Sequence, residues 1–284
     1  ENFQKVGAFK FRGACNAVFS LSEQEARRGV ATHSSGNHAA ALALAARLRG
    51  TSATIVMPRT APAIKKAAVA GYGARIVFCE PTLKAREETL AAEVAQSGAT
   101  VIHPYNDERV IAGQGTAALE LLAEVADLDI VMTPVGGGGL LAGTAIAVTA
   151  CSPKTKVIGA EPAGADDAYR SLRAGRILPS LSPKTIADGL LTSLGDKTFP
   201  IIQEKVTDIV TVSEEAIISA MRHIWERMKI IIEPSCAVPF AALLEEKVNV
   251  KGQRVGIILT GGNVDLDRLP WQQSESATKA HAHA

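Results

Sequence analysis

Apolar and polar positions along this chain alternate between two periods. Short runs rich in β-branched and apolar residues occur at 30–32, 53–57, 75–79, 100–103, 130–135, 156–160 and 254–259. Between them lie segments with helical spacing of apolar positions, at 39–49, 61–70, 82–96, 114–125, 140–151, 214–228 and 237–246. Strands that are apolar over most of their length, each followed by a helix, predict parallel sheets covered on both faces. Ligands in such folds lie at the carboxyl ends of strands, in the loops that lead into helices. No internal repeat interrupts the alternation.

Two of those loops carry chemistry. Gly136, Gly137, Gly138 and Gly139 stand between the apolar run IVMTPV and a second one starting at Leu140. A strand that passes through glycine into a helix leaves backbone N–H groups bare, with the positive end of the helix dipole behind them. A flexible linker is the competing reading, but linkers are serine-rich and polar and are not flanked by strand and helix patterns. The loop therefore predicts an anion site, a phosphate above all. The second loop is Ser34-Ser35-Gly36-Asn37-His38, ahead of an alanine-rich helix. One residue could cap that helix; two hydroxyls, an amide and an imidazole exceed what capping needs. Near the start, Lys10 lies among Phe9, Phe11 and Ala14. It is either a solvated surface lysine or a buried amine of lowered pKa.

Composition narrows the class without choosing a function. The chain has 284 residues, 47% hydrophobic and 21% charged, with a formal net charge of +1. That is long enough for one large or two medium domains and gives no electrostatic footprint for nucleic acid or a membrane surface. No apolar run reaches the length of a spanning helix, and Glu1 to Lys5 shows no signal-peptide pattern. Cys15, Cys79, Cys151 and Cys236 are scattered without metal spacing, so reduced thiols and a cytoplasmic location are expected. The end of the chain, 271–284, reads as a disordered tail, with His281 and His283 as weak metal candidates.

A lysine, a phosphate cradle and a hydroxyl-and-amide turn together form the equipment for pyridoxal phosphate held as a Schiff base. From Asn2 to about Asp267 the chain resembles the fold-type II (tryptophan synthase β-like) pyridoxal-phosphate enzymes, which include the threonine dehydratases and serine racemases. The segments FQKVGAFKFRGA, THSSGNH, YGARIVFCEP, HPYNDERVIAGQGT, PVGGGGLLAG, WERMKIIIEPS and TGGNVD are most similar to the serine racemases. Ser35, where the dehydratases tend to carry alanine, points the same way.

The resemblance implies an α/β fold of two three-layer αβα domains with the active site between them. A large domain would comprise 1–22 and 106–270, and a small one 23–105. Lys10 would be the Schiff-base lysine and the base on one face of the substrate, Ser35 the acid/base on the other. Gly136 to Gly139 would hold the phosphate, Phe9 would lie on the ring, Asn37 would meet its hydroxyl and Thr260 its nitrogen. The substrate carboxylate would be met by Ser34, Ser35, Asn37 and His38, with Arg86 a further contact. Glu161, Ala165 (through its carbonyl) and Asp167 would bind Mg²⁺, or Ca²⁺ or Mn²⁺.

The implied activity is racemisation of serine with β-elimination to pyruvate and ammonia, in a homodimer. Tyr72 and Lys229 match an ATP site at the subunit interface, while Ala39-Ala40 replaces the Gly-Gln pair usual there. The family also carries several dozen residues ahead of the segment that begins here. Three other readings stay open: a threonine or threo-3-hydroxyaspartate dehydratase, a binding protein without cofactor, and a nicotinamide-binding protein. Against the last, the four glycines are not G-x-G-x-x-G, and only Glu161 lies near the distance of the usual acidic residue.

Overall fold

A computed structural model describes residues 1–272. The chain forms α1 (Lys10–Phe19), α2 (Glu23–Arg28), β1 (Val30–His33), α3 (Asn37–Arg49), β2 (Ala53–Pro58), α4 (Ala63–Gly71), β3 (Arg75–Cys79), α5 (Leu83–Ser97) and β4 (Thr100–Val101). It continues with α6 (Glu108–Glu124), β5 (Ile130–Pro134), α7 (Gly139–Cys151), β6 (Lys156–Pro162), α8 (Asp167–Ala174), α9 (Thr198–Lys205), β7 (Asp208–Val212), α10 (Glu214–Met228), α11 (Pro234–Leu244) and β8 (Val255–Ile257). Two four-stranded sheets result, in the orders β3-β2-β1-β4 and β7-β6-β5-β8. Every strand pair within them is parallel.

Successive side chains of a strand point to opposite faces, and each sheet uses this to build two cores. In the second sheet Ile130, Met132, Ile158 and Ala160 pack on one side beneath α10 and α11. Val131, Val157 and Ile209 pack on the other beneath α7 and α9. The first sheet divides likewise, with Val30, Ile55 and Met57 on one face and Ala31, Val56 and Cys79 on the other. Each sheet is thus the middle layer of an αβα sandwich.

Helix α1 joins the first core through Phe11, Ala14, Ala17 and Val18. The residues just before it reach the second sheet: Ala8 forms an antiparallel bridge with Gly261, and the Phe9 N–H donates to the Thr260 carbonyl at 2.9 Å. The Lys65 ammonium contacts the Asp188 carboxylate at 2.7 Å, a second tie between the two halves.

Several elements differ from the sequence expectation. β7 went unread because it is a short edge strand in which Ile209 and Val212 are buried and the other three residues are half-exposed. Helix α2 is only six residues long and is held by a Ser22–Glu25 capping box. Helix α6 begins at Glu108, capped by Asp107, rather than at 114. Gly113, a poor helix former, stands just ahead of the expected start. The expected tail starts too early: the Trp271 ring packs edge-on against Trp225 at 5.3 Å, and the Gln272 side chain accepts the Leu269 N–H. Residues 273–284, with His281 and His283, lie outside the described residues. The four cysteines are unpaired. Among the described residues no helix is long and apolar enough to cross a membrane.

Candidate active site

The four-glycine loop is buried throughout and opens helix α7. Gly138 has φ +87°, a left-handed conformation, and no side chain caps the helix. The first-turn N–H groups are therefore free for an anion. Space is as restrictive as conformation. A Cβ at Gly137 would lie 2.3 Å from the Tyr105 ring, and one at Gly138 would lie 2.8 Å from Ile202 and 2.9 Å from Leu194. The Thr198 hydroxyl donates to the Gly137 carbonyl at 2.9 Å and fixes the loop from behind.

Lys10 is the first residue of α1. Its ammonium donates to the Pro104 carbonyl at 2.8 Å and stands 5.1 Å from the centre of the Phe9 ring. Burial brings its pKa down from 10.5 to about 8, with the Glu233 carboxylate pulling the other way. Thr260 is buried, and its backbone is held on both sides, by Phe9 on the carbonyl and by Cys236 Sγ on the N–H at 3.1 Å. The bridge from Ala8 to Gly261 thus brings Lys10 and Thr260, far apart in sequence, to one place.

The serine turn follows β1. The Ser34 hydroxyl accepts the Gly36 N–H at 3.3 Å, while the Ser35 hydroxyl makes no hydrogen bond among the described residues. Gly36 precedes α3 without a side-chain cap, so the Asn37 and His38 N–H groups are free to take a carboxylate. The Asn37 side chain is bonded at both ends. Its nitrogen donates to the two Glu233 oxygens at 3.0 and 3.1 Å, and its oxygen accepts from Asn263 at 2.9 Å. Burial pushes the Glu233 carboxyl up to about 7. Neither Glu233 nor Asn263 had been assigned a role, although both lie in motifs that carry the resemblance.

The imidazole of His38 departs from the expectation. It is 2% exposed, and its Nε2 lies 3.1 Å from the Ile102 carbonyl, so that nitrogen carries the proton. The other, Nδ1, is a buried acceptor without a partner. Burial holds the ring neutral, with a pKa down to about 3. An acceptor cannot bind a carboxylate, so His38 can serve a substrate only through its backbone.

Arg86, in the first turn of α5, has its Nε buried and without a hydrogen-bond partner. Burial of His33 lowers the pKa of that ring, Glu87 opposes the shift, and the Arg86 charge adds to it. From there edge-to-face ring contacts run from His33 to His103 at 6.1 Å and from His103 to Tyr105 at 4.5 Å, ending on the glycine loop. His103 is held as a neutral acceptor by the Tyr105 and Asn106 N–H groups at 3.3 and 2.9 Å.

Glu161 stands near the carboxyl end of β6, fully buried, and accepts the Ala168 and Tyr169 N–H groups at 3.1 and 2.9 Å. Burial pushes its pKa to about 9, and that of Asp167 to about 6. Asp167 opens α8 fully buried; the Leu194 N–H and the Ser180 hydroxyl face its carboxyl group and partly offset the burial. Ala165 is buried in the turn between them. Among the described residues no three His, Cys, Asp or Glu side chains cluster as a metal site. The Tyr72 ring is stacked by Arg47 at 5.4 Å. Lys229 lines a separate cavity of about 330 Å³ with Asn2, Phe3 and Asn263.

Residues 1–261 match the family model described as "Pyridoxal-phosphate dependent enzyme". The chain is 54% identical over 271 residues to a beta-hydroxyaspartate dehydratase of Paracoccus denitrificans, covering 95% of this chain and 86% of that protein. It is 51% identical over 269 residues to an L-threo-3-hydroxyaspartate ammonia-lyase of Saccharomyces cerevisiae, covering 94% and 82%. The crystal structure of serine racemase from Dictyostelium discoideum is similar with a TM-score of 0.90 at 51% identity, covering 94% of this chain and 86% of that one. With its two parallel sheets and its glycine loop, the chain belongs to the pyridoxal-phosphate dependent enzymes of fold type II.

Proposed function

We propose that the protein interconverts L- and D-serine by a two-base mechanism and also eliminates water from serine to give pyruvate and ammonia. The observation that carries this reading is Ser35: an unengaged hydroxyl beside free helix N–H groups, at a site that already holds one base, Lys10. Pyridoxal phosphate fits the residues present. The glycine loop has bare N–H groups and no room for a Cβ, the lysine amine is desolvated, and Thr260 offers a buried hydroxyl. Gly136 to Gly139 would hold the phosphate and Lys10 the aldehyde carbon. Phe9 would lie on the ring, Asn37 at its hydroxyl and Thr260 at its nitrogen. When bound, the cofactor supplies an electron sink for the pair left on the substrate Cα.

The remaining steps belong to the chain. The Asn37 and His38 N–H groups, with Ser34, hold the substrate carboxylate and orient Cα. Lys10 Nζ takes the Cα proton on one face, and Ser35 Oγ delivers a proton on the other, which inverts the centre. Loss of the β-hydroxyl before reprotonation leads to pyruvate and ammonia. Thr260 is uncharged, so the ring nitrogen gains no anionic partner and the sink stays moderate.

A second reading, elimination from threo-3-hydroxyaspartate with little racemisation, is favoured by one observation. The buried Arg86 Nε lacks a partner, and a substrate with a second carboxylate would supply one. The 54% identical dehydratase supports the same reading. Parallel assays of L-serine and L-threo-3-hydroxyaspartate test both. D-serine accumulating from L-serine supports the racemase. Oxaloacetate and ammonia from hydroxyaspartate, with no D-serine from serine, overturns it in favour of the dehydratase.

The same proposal places a divalent cation, Mg²⁺ or Ca²⁺ or Mn²⁺, between Glu161, the Ala165 carbonyl and Asp167. Two buried carboxyl groups whose pKa values burial raises would be held in their charged forms by a cation there. Mg²⁺ at about a hundredfold over its Kd is expected to raise the melting temperature by about 5 °C. EDTA is expected to reverse the shift, and Asp167→Asn to abolish it. An equal Mg²⁺ shift in Asp167→Asn would place the cation elsewhere. A cytoplasmic homodimer belongs to this reading too. ATP at its interface would meet Tyr72 and Lys229 but lack the glutamine that Ala40 replaces.

A further inference from the structure

Helices α1 and α7 begin at the two groups that would grip the cofactor, Lys10 and the glycine loop, and both pack on the same short stretch of α6. Gly13 lies one turn into α1 from Lys10, and Gly143 one turn into α7 from Gly139. At both crossings the backbones touch. A Cβ at Gly113 would lie 2.6 Å from the Arg12 carbonyl and from Gly13 Cα. One at Gly115 would lie 2.7 Å from the Gly143 carbonyl, and one at Gly143 would lie 2.4 Å from the Ile111 carbonyl. A glycine inside a helix costs about 1 kcal/mol relative to alanine, and α6 carries two within three positions. Close approach of three helices is the physical return for that cost.

A buried amide sits in the same contact. Gln114 is 1% exposed, and its Oε1 accepts the Gly13 N–H at 3.2 Å. Its Nε2 has no partner and points into the crossing, 2.4 Å from where a Gly13 Cβ would stand. Just upstream, the same segment reaches both attachment groups directly. The Pro104 carbonyl accepts from Lys10 Nζ at 2.8 Å, and the Tyr105 ring covers Gly137.

We propose that the segment from Pro104 to Gly115 is a rigid spacer that fixes the distance between the Lys10 amine and the phosphate cradle, so that the cofactor is gripped at both ends at once. This rests on the reading of Lys10 and the glycine loop as the two attachment points. A ligand held at two points binds through the high effective concentration of its second end, an advantage that vanishes when the spacing is wrong. Gly113, Gly115, Gly143 and Gln114 are positioning residues in this sense. None of them is among the residues proposed to hold the cofactor.

The test compares pyridoxal phosphate with pyridoxal, which has the same aldehyde and no phosphate. Each is titrated into apoprotein and trapped on Lys10 with borohydride, in the unaltered protein, in Gly115→Ala and in Gln114→Met. Gln114→Met keeps the volume and removes the hold on Gly13, so it serves even where Gly115→Ala does not fold. The spacer predicts that the affinity advantage of the phosphate compound falls about tenfold in the variants, while pyridoxal trapping stays within about twofold. Parallel weakening of both compounds, or an unchanged advantage, overturns the spacer alone. Failure of the unaltered protein to trap either compound at Lys10 overturns the cofactor reading and the spacer with it.

Discussion

Lys10→Ala is expected to abolish borohydride-stable attachment of pyridoxal phosphate and to lower turnover of every amino-acid substrate by about 10²- to 10⁴-fold, the range that loss of a positioned proton-transfer group covers. The side chain contributes one amine, and the Pro104 carbonyl that receives it is an ordinary acceptor that water can satisfy once the lysine is gone. The fold is therefore expected to persist, and a small primary amine such as methylamine should restore part of the activity. The pH dependence of the unaltered protein checks the same group. Condensation with an aldehyde needs the neutral amine, which exists above the pKa. Burial brings that pKa to about 8, so the rate of pyridoxal trapping should rise through pH 8 and level off above it. An ordinary lysine at pH 8 has only about one amine in three hundred neutral. A trapping rate still climbing steeply at pH 10 would mean that Lys10 is solvated, and full turnover by Lys10→Ala would remove it from the chemistry.

The parts of this site legible in the sequence are those built from consecutive residues. The glycine loop and the Ser34 to His38 turn each lie between a strand and a helix whose patterns are strong, and the structure keeps both as local units. What the pattern could not give is what long-range packing decides. The partners of Asn37 are Glu233 and Asn263, separated from it by 196 and 226 residues, and nothing local marks their roles. The resemblance puts His38 with the substrate carboxylate, but α3 is buried along almost its whole length, the imidazole goes into the core, and only its N–H is left at the site. The first turns of α6 are hidden by a related conflict: intrinsic propensity opposes Gly113 in a helix, and its backbone contact with α1 overrides that propensity. At β7 the signal was simply too short, five residues at the edge of a sheet.

Ser35→Ala separates the two proposed outcomes of the chemistry. The hydroxyl has no hydrogen bond among the described residues and caps no helix, since Gly36 occupies that position. Its removal should therefore change stability by less than about 0.5 kcal/mol. Any loss of activity then reports on the reaction rather than the fold. Abstraction of the Cα proton from L-serine belongs to Lys10 in this scheme, and elimination of the β-hydroxyl needs no proton from the opposite face. Pyruvate formation from L-serine should fall by less than about tenfold, whereas D-serine formation should fall by about 10²- to 10⁴-fold, the contribution of one general acid. D-serine as substrate should show the reverse weighting, because there the first proton must be removed on the Ser35 face. Pyruvate from D-serine should fall with D-serine formation, not with pyruvate from L-serine. Equal losses in all three assays would assign Ser35 to substrate binding and leave Lys10 as the one base. That result would also move the balance of substrates toward hydroxyaspartate, where Arg86 supplies the feature that serine does not use.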